Sequence, residues 1–243
     1  MVVMSKNNVE NYIKSSAKRN LSERKEYTLF NRIHVFIKDP FTEDIDITTT
    51  LSKIEKRIPR HLTSEVDTII VGQFDFLLDR EVTALFKDGA IYVSNEQRTE
   101  EGLLEDLIHE ISHATEVLYK NEIYNDQLVV QEFLGKRKRL FTNLKYNNLL
   151  TPEISDVDFL NVRFSPKFDM FLYRDVGYAT LRNLIMGLFV SPYGATSLRE
   201  YFANSFEEYY MGDREYLKVV SPEVFSKIEQ IDYLSRSEEY EDY

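Results

Sequence analysis

The sequence predicts an α+β fold, in which a small N-terminal mixed sheet is followed by a mainly helical C-terminal lobe. Short apolar or β-branched runs, which are typical of strands, lie before residue 95. After residue 100, apolar residues recur mostly at helical spacing. The chain has 243 residues and 43% apolar content, which is enough for one large domain with a substantial core.

The first half of the chain supplies the predicted sheet. Residues 1–25 are polar with weak helical periodicity, and we expect residues 1–27 to form an extension outside the core. Residues 33–37 and 68–74 are predicted strands. Residues 47–58 between them are a predicted amphipathic helix that ends before Pro59.

A β-hairpin is predicted to complete the sheet. Val82 to Phe86 and Ala90 to Val93 flank Lys87-Asp88-Gly89, and Asp-Gly between two apolar runs is a strong hairpin signal. A polar loop from Ser94 to Gly102 then leads into an amphipathic helix. The apolar face of this helix consists of residues at helical spacing: Leu103, Leu104, Leu107, Ile108, Ile111, Ala114 and Leu118.

The rest of the chain is predicted to be mostly helical. Helices are expected over about residues 126–144, 175–189, 197–211 and 222–233, with breaks at Pro152, Pro166 and Pro192. We therefore predict one domain over residues 28–234, with a helical insertion at residues 121–172. Residues 235–243 are a predicted acidic tail.

One short motif in the chain indicates a metal site: His109-Glu110-Ile111-Ser112-His113. On a helix, His113 lies about 40° round the axis from His109, and Glu110 about 100° round, so the three share one quadrant. Two imidazoles at this spacing can bind one Zn²⁺ at about 2.0–2.1 Å, and the intervening Glu can act on water without binding the metal. This arrangement is typical of metallopeptidases. Chance would produce it in roughly half a per cent of such chains.

The composition limits the classes of function. A net charge of −11 argues against a general nucleic-acid binder, because such proteins neutralise phosphates with Lys and Arg. The densest basic patch, Lys136-Arg137-Lys138-Arg139, is predicted to be a solvated helix face. No apolar run has the length of a signal peptide or of a membrane span. We therefore expect no membrane partner, and a cytoplasmic protein or one exported by a signal-independent route.

A catalytic zinc usually has three protein ligands, and the absence of cysteine leaves only His and carboxylate for the third. The longer motif HExxHxxGxxH does not continue here, because positions 116 and 119 are Glu and Tyr, and this excludes the metzincins. Glu132 is one candidate for the third ligand, and Glu200 is another. Ser197-Leu-Arg-Glu200 also fits a capping box, in which Glu200 would bond to the Ser197 N–H. His34 and His61 are expected to be structural or exposed.

A second pattern supports Glu200. Tyr193-Gly194 is followed by Glu200 seven residues after the tyrosine, and then by Phe202, Ala203 and Phe206. Together with HExxH, this sequence resembles the lethal-factor-like zinc metallopeptidases, the family of anthrax lethal factor and the Pro-Pro endopeptidases. The resemblance covers roughly residues 103–120 and 190–230.

The resemblance implies a zincin-like fold and a set of site residues. Glu200 would be the third zinc ligand, and Tyr193 would place a hydroxyl opposite the reacting carbonyl. Family members often carry Asp where this chain has Glu116. Glu116 is therefore expected to accept a hydrogen bond from the N–H of a ligand histidine.

The predicted function is that of a zinc-dependent endopeptidase of the gluzincin type. His109, His113 and Glu200 would hold one Zn²⁺, Glu110 would act as general base, and Tyr193 would stabilise the developing oxyanion. A protein or peptide substrate is expected, and the strand at residues 90–94 is predicted to pair with it. Two alternatives stay open: a catalytically weak or inactive zincin-fold binding module, and a metallohydrolase of a non-peptide amide or ester.

Overall fold

A five-stranded mixed sheet forms the first part of the computed structural model, which describes residues 26–238. Its strands are β1 (Glu26–Leu29), β2 (Ile33–Ile37), β3 (Thr68–Gly72), β4 (Ala84–Lys87) and β5 (Ala90–Ser94). They lie in the order β1-β2-β3-β5-β4. The three central strands are parallel, and the edge strands β1 and β4 run antiparallel to their neighbours. The predicted mixed sheet is confirmed.

The sheet differs from the prediction at its margins. Strand β1 is absent from the prediction, and it begins at Glu26, within the segment predicted as an extension. Strand β3 ends at Gly72 rather than Phe74, because Phe74 is already the N-cap of the next helix. The weak helical periodicity of residues 1–25 lies outside the described residues.

The β4–β5 hairpin is confirmed, and its turn lies at Asp88 and Gly89. Both residues have positive φ, at 51° and 78°. Glycine adopts this left-handed backbone without steric cost, and Asp tolerates it better than most residues do. The Asp-Gly pair therefore suits the turn that matches the twist of antiparallel strands.

Helices make up most of the remaining described chain, and this confirms the α+β class. They are α1 (Ile47–Arg57), α2 (Asp75–Leu78), α3 (Glu100–Leu118), α4 (Lys120–Tyr124), α5 (Leu128–Tyr146), α6 (Pro166–Met170), α7 (Tyr178–Leu184), α8 (Leu198–Met211), α9 (Arg214–Val220) and α10 (Pro222–Glu238). Four of the helices expected outside the motif, α1, α5, α8 and α10, are confirmed to within about five residues. The shorter helices α2, α4, α6 and α9 are absent from the prediction.

The helix predicted over residues 175–189 is wrong in its bounds. A π-helix, Phe171–Gly177, precedes α7, and α7 itself ends at Leu184. Gly177 and Gly187 have φ values of 78° and 71°, which a continuous right-handed helix does not allow. The two glycines therefore confine α7 to the segment between them.

Helix α3 lies in the core, between the sheet and helix α8. It packs against β4, β5 and α1 on one side and against α8 on the other. Its predicted apolar face is buried except at Leu118, which is 38% exposed. The helix begins at Glu100, two residues before the end of the predicted loop, because the Thr99 side chain accepts a hydrogen bond from Gly102 N–H and caps it.

The basic patch on α5 is only half solvated, so this prediction is wrong for Lys136 and Arg137. Arg137 is 1% exposed, lies 4.0 Å from the Phe168 ring, and donates to the carbonyls of Asn161, Asp158 and Thr196. Lys136 donates to Val220 O and Ser221 Oγ. Carbonyl acceptors and aromatic faces compensate for the loss of water around these cations. Lys138 and Arg139 are exposed, as predicted.

Within residues 26–238, no helix combines the length and the apolar character that a bilayer span requires.

Candidate metal centre

Helices α3 and α8 bring the three predicted ligands together. His109 and His113 lie one turn apart on α3, and Glu200 lies in the first turn of α8, which packs across α3. His109 Nε2 is 3.1 Å from Glu200 Oε2, and His113 Nε2 is 3.7 Å from Glu200 Oε1. The three ligand atoms all lie within 4.8 Å of one another.

The start of α8 explains how Glu200 reaches the histidines. The Ser197 side chain accepts a hydrogen bond from the Glu200 N–H at 3.2 Å, so Ser197 is the N-cap. The Glu200 carboxylate does not return to this cap but contacts both imidazoles instead. Only half of the predicted capping box is therefore formed, and the side chain is available to a metal.

The donor set fits a divalent cation. Metal–ligand bonds of about 2.0–2.1 Å in a tetrahedral site place ligand atoms about 3.4 Å apart. The observed distances of 3.1 Å and 3.7 Å from Glu200 lie on either side of that spacing. Glu200 and His113 are 8% and 5% exposed, so few water molecules compete for them. His109, His113 and Glu200 therefore form a group that could hold a metal ion.

Glu207 is a site residue that the sequence analysis does not single out. It lies on α8 seven residues after Glu200, and its carboxylate contacts His109 Nδ1 directly. Residues seven apart share a helix face, so the spacing from Glu200 was the sequence signal that could have identified Glu207. A carboxylate on Nδ1 fixes the ring so that Nε2 faces the metal position.

The two carboxylates also set the charge of His109 in the metal-free protein. Burial acts to lower the pKa of His109, but the hydrogen bonds with Glu200 and Glu207 outweigh it. The pKa of His109 therefore lies well above its ordinary value of 6.5. The proton on Nε2 occupies the direction that a metal would need.

Metal affinity is therefore expected to rise with pH for as long as His109 is protonated in the metal-free protein. Each metal bound there displaces one proton, which gives up to about a tenfold gain in affinity per pH unit. Chelator competition between about pH 6 and about pH 8 measures this slope. Glu207→Gln should lower the pKa of His109 and flatten the slope near neutral pH. A slope of zero in the wild type would contradict this account.

The surroundings of His113 differ from the prediction. Arg199 Nε donates to His113 Nδ1 at 3.0 Å, and Arg199 Nε is also 3.6 Å from Glu116 Oε2. Glu116 accepts a hydrogen bond from the Tyr124 hydroxyl at 2.6 Å. The direct bond expected between Glu116 and a ligand histidine is therefore not formed here, because Arg199 occupies that position.

Glu110 lies beside the ligands and is held by the edge of the sheet. Its Oε2 accepts a hydrogen bond from Phe86 N–H on β4 at 2.5 Å. In the β4–β5 ladder, Ser94 N–H donates to Thr83 O. Because hydrogen-bonded positions alternate along an antiparallel pair, the backbone groups of Phe86 face the open side of β4, away from β5. Burial raises the pKa of Glu110 to about 7, although His109 acts to lower it. A carboxyl of this kind can exchange a proton near neutral pH.

Tyr193 lies close to His109. Its ring centroid is 6.2 Å from that of His109. Tyr193 belongs to the short turn Tyr193–Ala195 before α8. Burial, with a contribution from the charge of Glu200, raises the pKa of Tyr193 well above its ordinary value. The hydroxyl therefore stays protonated and can donate a hydrogen bond.

Glu132, the rival third ligand, lies outside the ligand group. Its carboxylate accepts hydrogen bonds from the Tyr201 hydroxyl and from Glu223 N–H and Val224 N–H. Glu132 thus caps the start of α10. His61 bonds to Ile231 O and His34 is exposed on β2, so neither histidine belongs to the ligand group.

A cavity of about 570 Å³ opens beside this group. His109, Glu110, Tyr193 and Glu207 are among the residues that line it. The lining also includes the acidic residues Glu81, Glu105 and Asp106. Phe164, Asp169, Tyr173 and Tyr178 also line the cavity, and Phe164 and Asp169 belong to the predicted insertion at residues 121–172.

The edge of the cavity corrects one prediction about substrate binding. Strand β5, Ala90–Ser94, lies between β3 and β4, so its backbone groups are already paired. Strand β4 is the edge strand, and Thr83 and Ala84 at its start line the cavity. Any extended ligand that pairs with the sheet here would pair with β4.

The chain has no match among protein-family models, curated proteins or solved structures. The resemblance to lethal-factor-like metallopeptidases therefore stays a prediction.

Proposed function

We propose that this protein is a zinc-dependent endopeptidase with a zincin-like fold, related to the lethal-factor-like gluzincins. The observation that carries the proposal is the grouping of His109, His113 and Glu200 within 4.8 Å, with Glu110 in the same cavity. Two imidazoles and one carboxylate are a donor set that catalytic zinc uses. A general base next to such a set favours hydrolysis over a purely structural metal site.

The residues of this chain would divide the work in a simple way. When bound, zinc supplies a Lewis acid that acidifies water and polarises a carbonyl group. Glu110 accepts the proton of the attacking water and then delivers it to the leaving amine. Tyr193 donates a hydrogen bond to the carbonyl oxygen as negative charge develops there. Glu207 holds the ring of His109 in place.

A peptide is the substrate that the cavity suits best. Its rim includes the edge strand β4, whose outward backbone groups other than Phe86 N–H could pair with an extended chain. Phe164 and Tyr173, which also line the cavity, are 48% and 54% exposed. Exposed aromatic rings in a cleft can contact the side chains of a bound peptide.

A cleavage assay with a broad peptide library tests this function. Protein stripped of metal and reloaded with zinc should cleave internal peptide bonds, and mass spectrometry identifies the products. A chelator should abolish cleavage, and added zinc should restore it. If the zinc-loaded protein cleaves no peptide in the library, the proposal is wrong. A binding module with the same fold would then explain the site better.

A further inference from the structure

His113 has two different neighbours at its two ring nitrogens. Its Nε2 faces Glu200 Oε1 at 3.7 Å, which is the direction of the metal position. Its Nδ1 accepts a hydrogen bond from Arg199 Nε at 3.0 Å. The His113 side chain is 7% exposed, and its ring also packs edge-on against the His109 ring at 4.8 Å.

The hydrogen bond from Arg199 must break before Nε2 of His113 can bind a metal. A neutral imidazole carries one proton, and a nitrogen that accepts a hydrogen bond cannot be the one that carries it. The bond from Arg199 therefore places the proton of His113 on Nε2. A metal ligand needs the Nε2 lone pair, so the proton must then move to Nδ1. Arg199 cannot accept it, because a guanidinium has only donors.

Glu116 is positioned to accept that proton. It follows His113 by three residues on α3, and positions at this spacing are neighbours on a helix surface. Glu116 Oε2 is 3.6 Å from the same Arg199 nitrogen that contacts His113. The Glu116 side chain is 15% exposed and is held by the Tyr124 hydroxyl, whereas the Arg199 side chain is 48% exposed. Arg199 is thus the partner that is free to move.

We infer that Arg199 and Glu116 exchange places at His113 when metal binds. In the metal-free protein Arg199 donates to Nδ1, and in the loaded protein the Nδ1 proton is donated to Glu116. Arg199 is therefore a positioning residue that opposes metal binding, and Glu116 is one that supports it. This inference rests on the proposed metal site, but it does not require peptide hydrolysis.

Nitrogen NMR of the full chain tests the exchange without any substitution. The sequence has only four histidines, so the ¹⁵N correlations of their rings can be assigned. His113 is expected to show the Nε2–H tautomer in the metal-free protein and the Nδ1–H tautomer after zinc is added. An Nδ1–H tautomer already present in the metal-free protein would overturn the inference.

Zinc affinities of three variants complete the test. Arg199→Met should tighten zinc binding by about threefold to tenfold, because no hydrogen bond has to be broken. Glu116→Gln should weaken binding by about tenfold or more, as the loss of an acceptor behind a ligand histidine usually does. Arg80→Met is the matched control, since Arg80 also lines the cavity and is exposed. It should change affinity by less than about twofold.

The outcomes separate this inference from the proposed function. If Arg80→Met tightens zinc binding as much as Arg199→Met, general charge repulsion explains the effect and the exchange is wrong. If zinc binds and the His113 tautomer changes but no peptide is cleaved, the exchange stands and the proposed function fails. If peptides are cleaved but zinc does not change the His113 tautomer, the proposed function stands and the exchange is wrong.

Discussion

Replacing Glu110 by glutamine is expected to lower kcat for peptide hydrolysis by about 10²- to 10⁴-fold. Glutamine has nearly the same shape, and its amide oxygen can still accept the hydrogen bond from Phe86 N–H. It cannot take a proton from water at neutral pH. Because Glu110 is not in the ligand group, the variant should bind zinc like the wild type. Initial rates on one cleaved peptide, with bound zinc measured on the same samples, check both statements.

The same variant should also be more stable than the wild type in the absence of metal. The pKa of Glu110 is raised from 4.5 to about 7, so the wild type loses stability as pH rises through that interval. Above about pH 7 the buried charge costs at most about 3 kcal/mol, and glutamine removes this cost. The Tm of metal-free Glu110→Gln at about pH 8 should therefore rise by several degrees. A lower Tm would show that the loss of activity reflects damage to the fold.

Tyr193→Phe offers a graded comparison. It removes one hydrogen-bond donor to the oxyanion and leaves the general base in place, so kcat should fall by at most about 10²- to 10³-fold, with little change in KM. Peptide cleavage that is unchanged in Glu110→Gln would contradict the proposed division of work. Equal rates in Tyr193→Phe and the wild type would remove Tyr193 from it.

Loss of Glu200 should have the largest effect on metal binding. Glu200→Ala removes one of three ligands, and the affinity for zinc should fall by more than about 100-fold, beyond what the loss of a supporting residue costs. Glu132→Ala is the matched control, because Glu132 also lies on a helix that packs against this region. It should leave zinc affinity unchanged and lower Tm, since it removes the cap of α10. Competition with a chelator measures the first effect and thermal unfolding the second.

The reverse ranking would move the third ligand from Glu200 to Glu132. Equal and small effects on zinc affinity would mean that Glu200 serves only the fold. His109→Ala provides the upper limit, because it removes a ligand from the motif itself. Zinc retained at full stoichiometry in His109→Ala would show that the metal is bound elsewhere.

The features that depend on local spacing could be predicted from the sequence. The position of the two histidines on one helix, the hairpin at Asp88 and Gly89, and the helix that carries Glu200 all follow from short-range patterns. Glu200 could be preferred to Glu132 because its spacing from Tyr193-Gly194 resembles the pattern of the lethal-factor-like family. The coarse α+β class follows from the same periodicities.

Contacts that depend on how elements pack could not be predicted in the same way. Strand order decides that β4, and not β5, is the open edge, and no local pattern encodes that order. Arg199 is adjacent to Glu200 in sequence, but its bond to His113 exists only because α8 crosses α3. Lys136 and Arg137 occupy positions typical of a solvated face, and the carbonyls that hold them come from distant segments. The bond between Glu207 and His109 has the same origin.

The bond from Phe86 N–H to Glu110 also limits how other strands can pair with the edge of the sheet. An exposed edge strand invites the strands of other molecules to add to it and so favours aggregation. Strand β4 is only four residues long, and one of its outward donors is already occupied by a buried carboxylate. A stray strand would have to displace that carboxylate before it could pair in full register. Glu110, the proposed general base, would thus also limit pairing between the sheets of different molecules.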